Sequence, residues 1–309
     1  MRKIKRISLL GASGYIGRSL VPLFLEQQTK YELHLFSRTP DVLSKKLVTL
    51  YGSNFQSQIH HFKDFLQVDC DVVLNATGIS DSREIAKNPR YVLETTALID
   101  DVIISKLKKK SEITYINFSS GAVHESRSDK VTREEKTDRN LVNNMLSREY
   151  YIMAKQQAEA KHRTLIDLSI VDVRVFAFFS RFVDIRNTFL MSQIASSLKE
   201  KKVFLTNSTD IIRDYITPDD LFRFIECVIS SPSNCAYDVY SLEPVSKFLL
   251  LTHLNKNFGL QYEISDVDLS TTLAKEIYFS TNYAAKNIGY RPTHTSLSGI
   301  CKELDKFLE

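Results

Sequence analysis

The sequence predicts an α/β protein built on a doubly wound parallel sheet, with a smaller C-terminal α/β lobe. Three observations lead there. Short apolar runs of strand character alternate with segments of helical spacing from Ile4 to Phe176. A glycine turn, GASGYIG at 11–17, stands directly between the first apolar run and the first helical segment. Past Phe178 the alternation loosens, as expected of a second, smaller lobe.

Residues 4–10 read as a buried strand and 15–28 as the helix that follows. Between them, Gly11 permits a tight turn, Gly14 allows a pyrophosphate close to the backbone, and Gly17 allows close packing of helix on strand. The chain has only nine glycines, so three within this turn mark it as a place where geometry demands them. Free N–H groups and the positive end of the helix then suit phosphates, as in a Rossmann-type dinucleotide site. A plain βα turn would use the same glycines.

Residues 31–36 form a second strand ending at Ser37-Arg38-Thr39-Pro40; 53–62 hold a short third strand; 70–74 form a fourth, closing on Asn75-Ala76-Thr77-Gly78. A helix over 91–107 ends in the basic turn 106–110, which suits the helix dipole. The fifth strand, 113–118, runs into Ser119-Ser120-Gly121, and the sixth covers 166–176. Residues 125–139 are polar and aperiodic, the pattern of a mobile loop at the carboxyl edge of the sheet. The helix 142–165 carries Tyr150, Tyr151 and Lys155. Parallel strands so connected imply right-handed crossovers. Beyond them, helices are expected near 187–200, 217–230 and 245–257, with short strands near 203–205, 236–241 and 260–265. The division is a dinucleotide-binding domain over 1–177, to which the chain returns around 206–240, and a lobe over 178–309 that binds substrate.

With 309 residues and 43% hydrophobic content the chain can bury a full core. Its net charge of +4 is scattered, so no footprint for nucleic acid is present. Four cysteines without paired spacing point to a reducing compartment, and His60 and His61 have no companion ligands for a metal. The basic start MRKIKRI precedes an apolar run too short for a signal segment. No run reaches membrane-spanning length, so the expectation is a cytoplasmic protein without a membrane partner.

Tyr151 and Lys155 lie four apart on one helix and share a face. A nearby ammonium favours phenolate and lowers a tyrosine pKa, which suits proton transfer near neutrality. Ser120, at a strand end, would hydrogen-bond the same substrate oxygen. YxxxK arises by chance in many helices; its order after a glycine turn and a strand-end Ser-Ser does not.

These stretches, GASGYIG at 11–17, NATG at 75–78, INFSSGAV at 116–123, YIMAK at 151–155 with Glu159 following, RDYITPDDL at 213–221 and NIGYRP at 287–292, resemble the extended short-chain dehydrogenase/reductases. That branch holds NAD(P)-dependent epimerases, dehydratases and reductases of nucleotide-activated sugars, and the resemblance covers nearly the whole chain. It implies Ser120, Tyr151 and Lys155 as catalytic residues, with Tyr151 and Lys155 also touching the cofactor, Lys155 at the nicotinamide ribose. It implies Gly11, Ser13, Gly14, Tyr15, Ile16 and Gly17 at the pyrophosphate, and Ala76, Thr77 and Gly78 under the adenine-side ribose. Arg213 falls where the family commonly touches a sugar-nucleotide diphosphate, with Arg291 assisting; a salt bridge to Asp214, Asp219 or Asp220 is the structural alternative. Asp219 and Asp220 read as caps of a helix starting near Leu221. The family often dimerises through the helices equivalent to 91–107 and 142–165, so a homodimer is an expectation.

NAD enzymes usually place an acidic residue after the second strand. Here Ser37, Arg38 and Thr39 stand there and suit a 2′-phosphate, so NADP(H) is preferred and NAD(H) is the alternative. Departures from the family narrow the reaction. Dehydratases need an acid pair where this chain has Gly121 and Ala122, and epimerase-reductases carry cysteine at Gly121. What remains is NADPH-dependent reduction of a keto group on a nucleoside-diphosphate 4-keto-6-deoxyhexose. An NAD-dependent nucleotide-sugar epimerase, a reductase of small carbonyls and a non-catalytic NADP(H)-binding regulator are the alternatives. His124 replaces a usual tyrosine and is a substrate contact, an auxiliary proton carrier or a packed side chain.

Overall fold

The computed structural model describes residues 4–52, 58–79, 82–124, 145–265 and 276–309. The expected loop over 125–139 and the first residues of the expected helix 142–165 lie outside them. In chain order the first half runs β1 (Lys5–Leu10), α1 (Tyr15–Leu25), β2 (Tyr31–Ser37), α2 (Pro40–Tyr51), β3 (Gln58–His61), β4 (Val72–Asn75), α3 (Ser82–Lys87), α4 (Pro89–Leu107), β5 (Thr114–Ser120), α5 (Ser147–Thr164) and β6 (Ile170–Val175). The second half adds β7 (Ala177–Phe178), α6 (Leu190–Glu200), β8 (Phe204–Thr206), β9 (Ile212–Arg213), β10 (Tyr215–Ile216), α7 (Pro218–Ser230), β11 (Cys235–Val239), β12 (Val245–Ser246), α8 (Lys247–Phe258), β13 (Tyr262–Ile264), β14 (Ile277–Tyr278) and α9 (Ser296–Leu308). Two compact units result: Met1–Gly14, Gln27–Arg174 and Val228–Tyr237 make the first, and Tyr15–Glu26, Val175–Cys227 and Asp238–Glu309 the second.

The first unit is organised on a seven-stranded parallel sheet in the order β11-β6-β5-β4-β1-β2-β3. Strand order reverses beside β1, and ligands of open α/β sheets bind at the carboxyl ends of the strands where that happens. Register brings those ends level: Leu10 pairs with Phe36 on one side and Asn75 on the other, and Asn75 with Asn117. The glycine turn, the Ser37–Thr39 segment, the Ala76–Gly78 loop and the Ser119–Ser120 end therefore leave along one edge. From Ile7 to Leu10 every residue of β1 is buried, so both faces of this strand are covered. One face carries a core of Leu10, Phe36, Val73, Tyr115 and Ile170 with Ile103 and Leu107 of α4.

Several boundaries differ from expectation for local reasons. The sixth strand begins at Ile170 rather than 166, because Leu165 N–H and Leu168 N–H turn back onto His162 O and Leu165 O, leaving Ile166 exposed. Lys106 is not part of a solvated basic turn. It is buried, its ammonium donating to Phe65 O at 2.6 Å and also to Val68 O. Helix α2, absent from the periodicity reading, is amphipathic only through Leu43 and Leu47. His60 stacks on His34, and His61 Nδ1 accepts from Lys63 N–H; among the described residues no group of side chains is arranged to hold a metal.

α5 is the unusual element. Its inner stripe is Ile152, Lys155, Ala158, Glu159 and His162, three of them ionisable. Lys155 Nζ donates to Phe118 O at 2.8 Å, and Ser119 Oγ donates to Glu159 Oε1 at 2.6 Å. Arg174 on β6 reaches Glu159 Oε2 at 2.5 Å. His162 is fully enclosed, with Nδ1 2.9 Å from Asp172 Oδ1 and Nε2 2.7 Å from Asp100 Oδ1. Asn117 Nδ2 donates to Asp172 and Tyr115 O–H to Asp100, while Lys161 and Arg163 bind the outer oxygens of the two carboxylates. Buried charge survives only with such partners.

The second unit has its own core, in which Met191 and Ile194 of α6, Leu250, Leu251 and Leu254 of α8, and Ile300 and Leu304 of α9 meet Phe179 and Phe204. Its strands form small sheets, β10-β7, β12-β9-β14 and β13-β8. Asp219 and Asp220 sit inside the first turn of α7 rather than capping a later start. Asp220 accepts from the backbone of Thr293 and His294, and Asp219 pairs with Lys302 at 2.5 Å, so the two fasten α7 to the α9 region.

The two carboxylates hold the His162 imidazolium up to about 9 from its ordinary 6.5 against the opposing effect of burial. A raised folded-state pKa stabilises fully below the unfolded value and loses its effect as pH rises through the folded value. Denaturant unfolding between pH 6 and pH 9.5 is therefore expected to show wild type losing stability across the window from 6.5 to about 9, by on the order of 3 kcal/mol relative to His162→Gln. Parallel pH curves for the two proteins would mean that the buried imidazole is neutral.

Candidate active site

The first strand cannot leave the sheet without glycine. Gly11 has φ +85°, and a Cβ there would lie 2.5 Å from Ala76 O and 2.8 Å from Thr77 N. A side chain is therefore excluded both by backbone conformation and by the β4 loop. Gly14 N–H donates to Gly11 O at 2.9 Å, closing the turn, and a Cβ on Gly14 would press on that oxygen at 3.2 Å. Ser13 is exposed, Ile16 half-buried and Gly17 buried in α1. Tyr15 leaves only its backbone to the turn: its hydroxyl accepts from Ser180 N–H at 2.8 Å and donates to Ser180 O, and burial pushes its pKa up. This bare-backbone cradle at the start of a helix fits a dinucleotide pyrophosphate.

The β4 loop is set from below. Asn75 Oδ1 accepts from both the N–H and the hydroxyl of Thr77, at 3.1 and 2.5 Å, while Asn75 Nδ2 donates to Tyr115 O–H at 3.0 Å. Gly78, at φ +144°, has Lys155 Nζ 3.7 Å from the position of its missing Cβ. The loop expected under the adenine-side ribose and the lysine expected at the nicotinamide ribose thus lie side by side.

Ser120, Tyr151 and Lys155 lie close together. Ser120 ends β5 and is buried, its Oγ accepting from Ala122 N–H at 3.2 Å and hydrogen-bonding the Tyr151 hydroxyl. Tyr151 packs against Ile85, Val92 and Ala154, and Lys155 Nζ lies 5.9 Å from the centre of its ring. The electrostatics differ from the sequence expectation. Burial raises the Tyr151 pKa, with the Ser120 hydrogen bond opposing, so Lys155 does not turn it into a phenolate. Lys155 is itself pushed down by burial, with Asp172, Glu159 and Asp100 acting against that. At neutral pH this tyrosine is a proton donor in waiting.

At the end of β2, Ser37 is half-buried and its Oγ accepts from Thr39 N–H at 3.1 Å. Arg38 is exposed, and its Nη1 donates to the Tyr91 hydroxyl at 3.0 Å. Lys46, which sequence reasoning passed over with its helix, donates to Ser13 O at 3.0 Å. His124 ends a turn after β5 with Nε2 3.5 Å from Arg174 Nη1. In the second unit, Arg213 donates to Ile212 O at 2.8 Å and lies over the Tyr278 ring at 5.8 Å. Of the carboxylates considered for it, Asp214 accepts from Ser241 and Ser296, and Asp219 and Asp220 hold the α9 region. Arg291 donates to Lys286 O and Tyr290 O, at 3.0 and 2.7 Å, and so braces its own turn.

Comparison with known proteins bears on the fold and the family. No curated protein matches the chain in sequence. Solved structures do match in fold. UDP-glucuronic acid 4-epimerase from Bacillus cereus, solved with UDP-glucuronic acid and NAD, has a TM-score of 0.75 at 16% identity over 98% of each chain. dTDP-glucose 4,6-dehydratase from Bacillus anthracis, solved with NAD, has a TM-score of 0.73 at 15% identity, covering 97% of this chain and 96% of that one. ADP-L-glycero-D-manno-heptose-6-epimerase from Helicobacter pylori has a TM-score of 0.74 at 15% identity, covering 98% and 96%. The family model described as the NAD dependent epimerase/dehydratase family matches residues 7–242. With its glycine turn, strand-end serine and YxxxK helix in place, the chain belongs to the NAD dependent epimerase/dehydratase family of enzymes.

Proposed function

We propose that the protein reduces a keto group on a nucleotide-activated sugar, with NADPH as the reductant. The observation that carries this reading is the hydrogen-bonded Ser120–Tyr151 pair, with Tyr151 kept protonated by burial. The residues after Ser120 support it: Gly121 and Ala122 offer neither the acid pair of a dehydratase nor a cysteine. The substrate class we favour is a nucleoside-diphosphate 4-keto-6-deoxyhexose. Arg213 is the residue we assign to its diphosphate, with Arg291 assisting.

When bound, the dinucleotide supplies the hydride. The chain's own residues do the rest. Ser120 and Tyr151 hydroxyls hold the substrate oxygen, and Tyr151 delivers the proton that the oxygen needs as charge builds on it. Lys155, anchored by one N–H to Phe118 O, keeps its remaining N–H bonds for the ribose hydroxyls and for re-protonating the site. Arg38, with Ser37 and Thr39 beside it, meets the 2′-phosphate that distinguishes NADPH from NADH. The family description names NAD, and the Bacillus cereus and Bacillus anthracis structures were solved with it, so an NAD-dependent epimerase is the second reading.

Tyr151→Phe keeps the ring and its packing while removing the proton. Its NADPH affinity is expected to stay within about threefold of wild type while turnover falls roughly 100- to 10,000-fold. Unchanged turnover would remove Tyr151 from the chemistry. Thermal-shift titration with NADP, NAD and a set of nucleoside diphosphates separates the two readings, because ligands of the folded state raise its midpoint. A rise with NADP and one nucleoside diphosphate, followed by net NADPH consumption with the matching keto sugar, is the expected result. A rise with NAD alone, and turnover without net cofactor consumption, would establish the epimerase instead.

A further inference from the structure

Lys46 occupies an unusual place for a lysine. On α2 the inward residues are Leu43 and Leu47, and Lys46, one turn from the first and next to the second, is half-buried on the same side, whereas Lys45 is exposed. A surface position one residue away was available to the same charge. Instead the stem runs along the apolar edge of the helix and the ammonium returns to the sheet edge, donating to Ser13 O at 3.0 Å. Ser13 lies inside the glycine turn, between Gly11 and Gly14. α2 itself starts straight after Ser37, Arg38 and Thr39. Register sets the ends of β1 and β2 side by side, Leu10 opposite Phe36. The space above those two strand ends thus has Arg38 on the β2 side and the Lys46 ammonium against the glycine turn.

We infer that Lys46 is a second specificity-determining residue for the 2′-phosphate, reading it from the glycine-turn side while Arg38 reads it from the end of β2. A phosphomonoester carries up to two negative charges near neutral pH, more than one exposed guanidinium compensates. Two cations on separate elements meet it from two directions, and an unphosphorylated ribose gives the second nothing to bind. The lysine also fits the turn sterically: it approaches a carbonyl oxygen, which repels phosphate, and covers it with positive charge. This inference rests on the NADPH reading above, and it concerns the adenosine end of the cofactor alone.

Binding of two fragments, 2′,5′-ADP and 5′-AMP, measured calorimetrically without substrate or turnover, tests it. Wild type is expected to prefer 2′,5′-ADP. Lys46→Gln keeps a donor for Ser13 O but no charge, and is expected to weaken 2′,5′-ADP by about ten- to hundredfold while leaving 5′-AMP within about twofold. Lys46→Arg is expected to restore most of the preference, and Lys46→Gln combined with Arg38→Ala to abolish it. Equal weakening of both fragments would overturn the inference by showing that Lys46 only braces the glycine turn. An unchanged preference in Lys46→Gln would overturn it by leaving Arg38 as sufficient. If wild type itself binds the two fragments equally, the NADPH reading fails first. Thermal midpoints of the variants, compared with wild type, verify that each fragment is offered to a folded protein.

Discussion

The polar inner stripe of α5 is the constraint on which the first unit depends. A helix against a sheet ordinarily buries an apolar stripe, but here Lys155, Glu159 and His162 point inward at helical spacing. Each is anchored to a different neighbour: Lys155 to the backbone of β5, Glu159 to Ser119 and Arg174, and His162 to Asp172 on β6 and Asp100 on α4. Hydrogen bonds are directional where apolar contacts are not, so α5 is fixed in rotation and height as well as in distance. That fixing sets where Tyr151, one turn before Lys155, meets Ser120.

The same network reaches the loop below the expected ribose. Asp172 accepts from Asn117, Asn117 and Tyr115 contact Asn75, and Asn75 holds both polar groups of Thr77. A buried, hydrogen-bonded chain thus runs across β6, β5 and β4 beneath the candidate site. Against the far side of that loop stands Gly11, with no room for a Cβ. The cradle is formed from two backbones in close approach, and the side chains that stiffen it lie beneath, not on its surface.

Much of this was legible in the sequence where the signal is local. Strand, glycine turn and helix at the start, the strand-end Ser119–Ser120 and YxxxK are short motifs whose geometry is set by neighbouring residues. Other features depend on partners far away in the chain. His162 looks like one more cation in the last turn of a basic helix, and only Asp100 and Asp172, from two other elements, make it a buried imidazolium. Lys106 looks solvated until the carbonyls of Phe65 and Val68 close on it. The pKa of Tyr151 depends on distant partners in the same way: adjacency to Lys155 is written in the spacing, but the apolar enclosure by Ile85, Val92 and Ala154 is not.

By itself, the sequence determined the alternating α/β layout, the glycine turn and the shared helix face of Tyr151 and Lys155, because periodicity and glycine geometry act over a few residues and survive without knowledge of the fold; the family was legible through the resemblance of its motifs. Tertiary structure alone decided which charges are buried, how Arg38 and Lys46 are held at the end of β2 and the glycine turn, and that Cys235–Val239 closes the main sheet as its edge strand beside β6. Burial and electrostatic environment are sums over neighbours distant in sequence, and those neighbours are chosen only when the chain has folded.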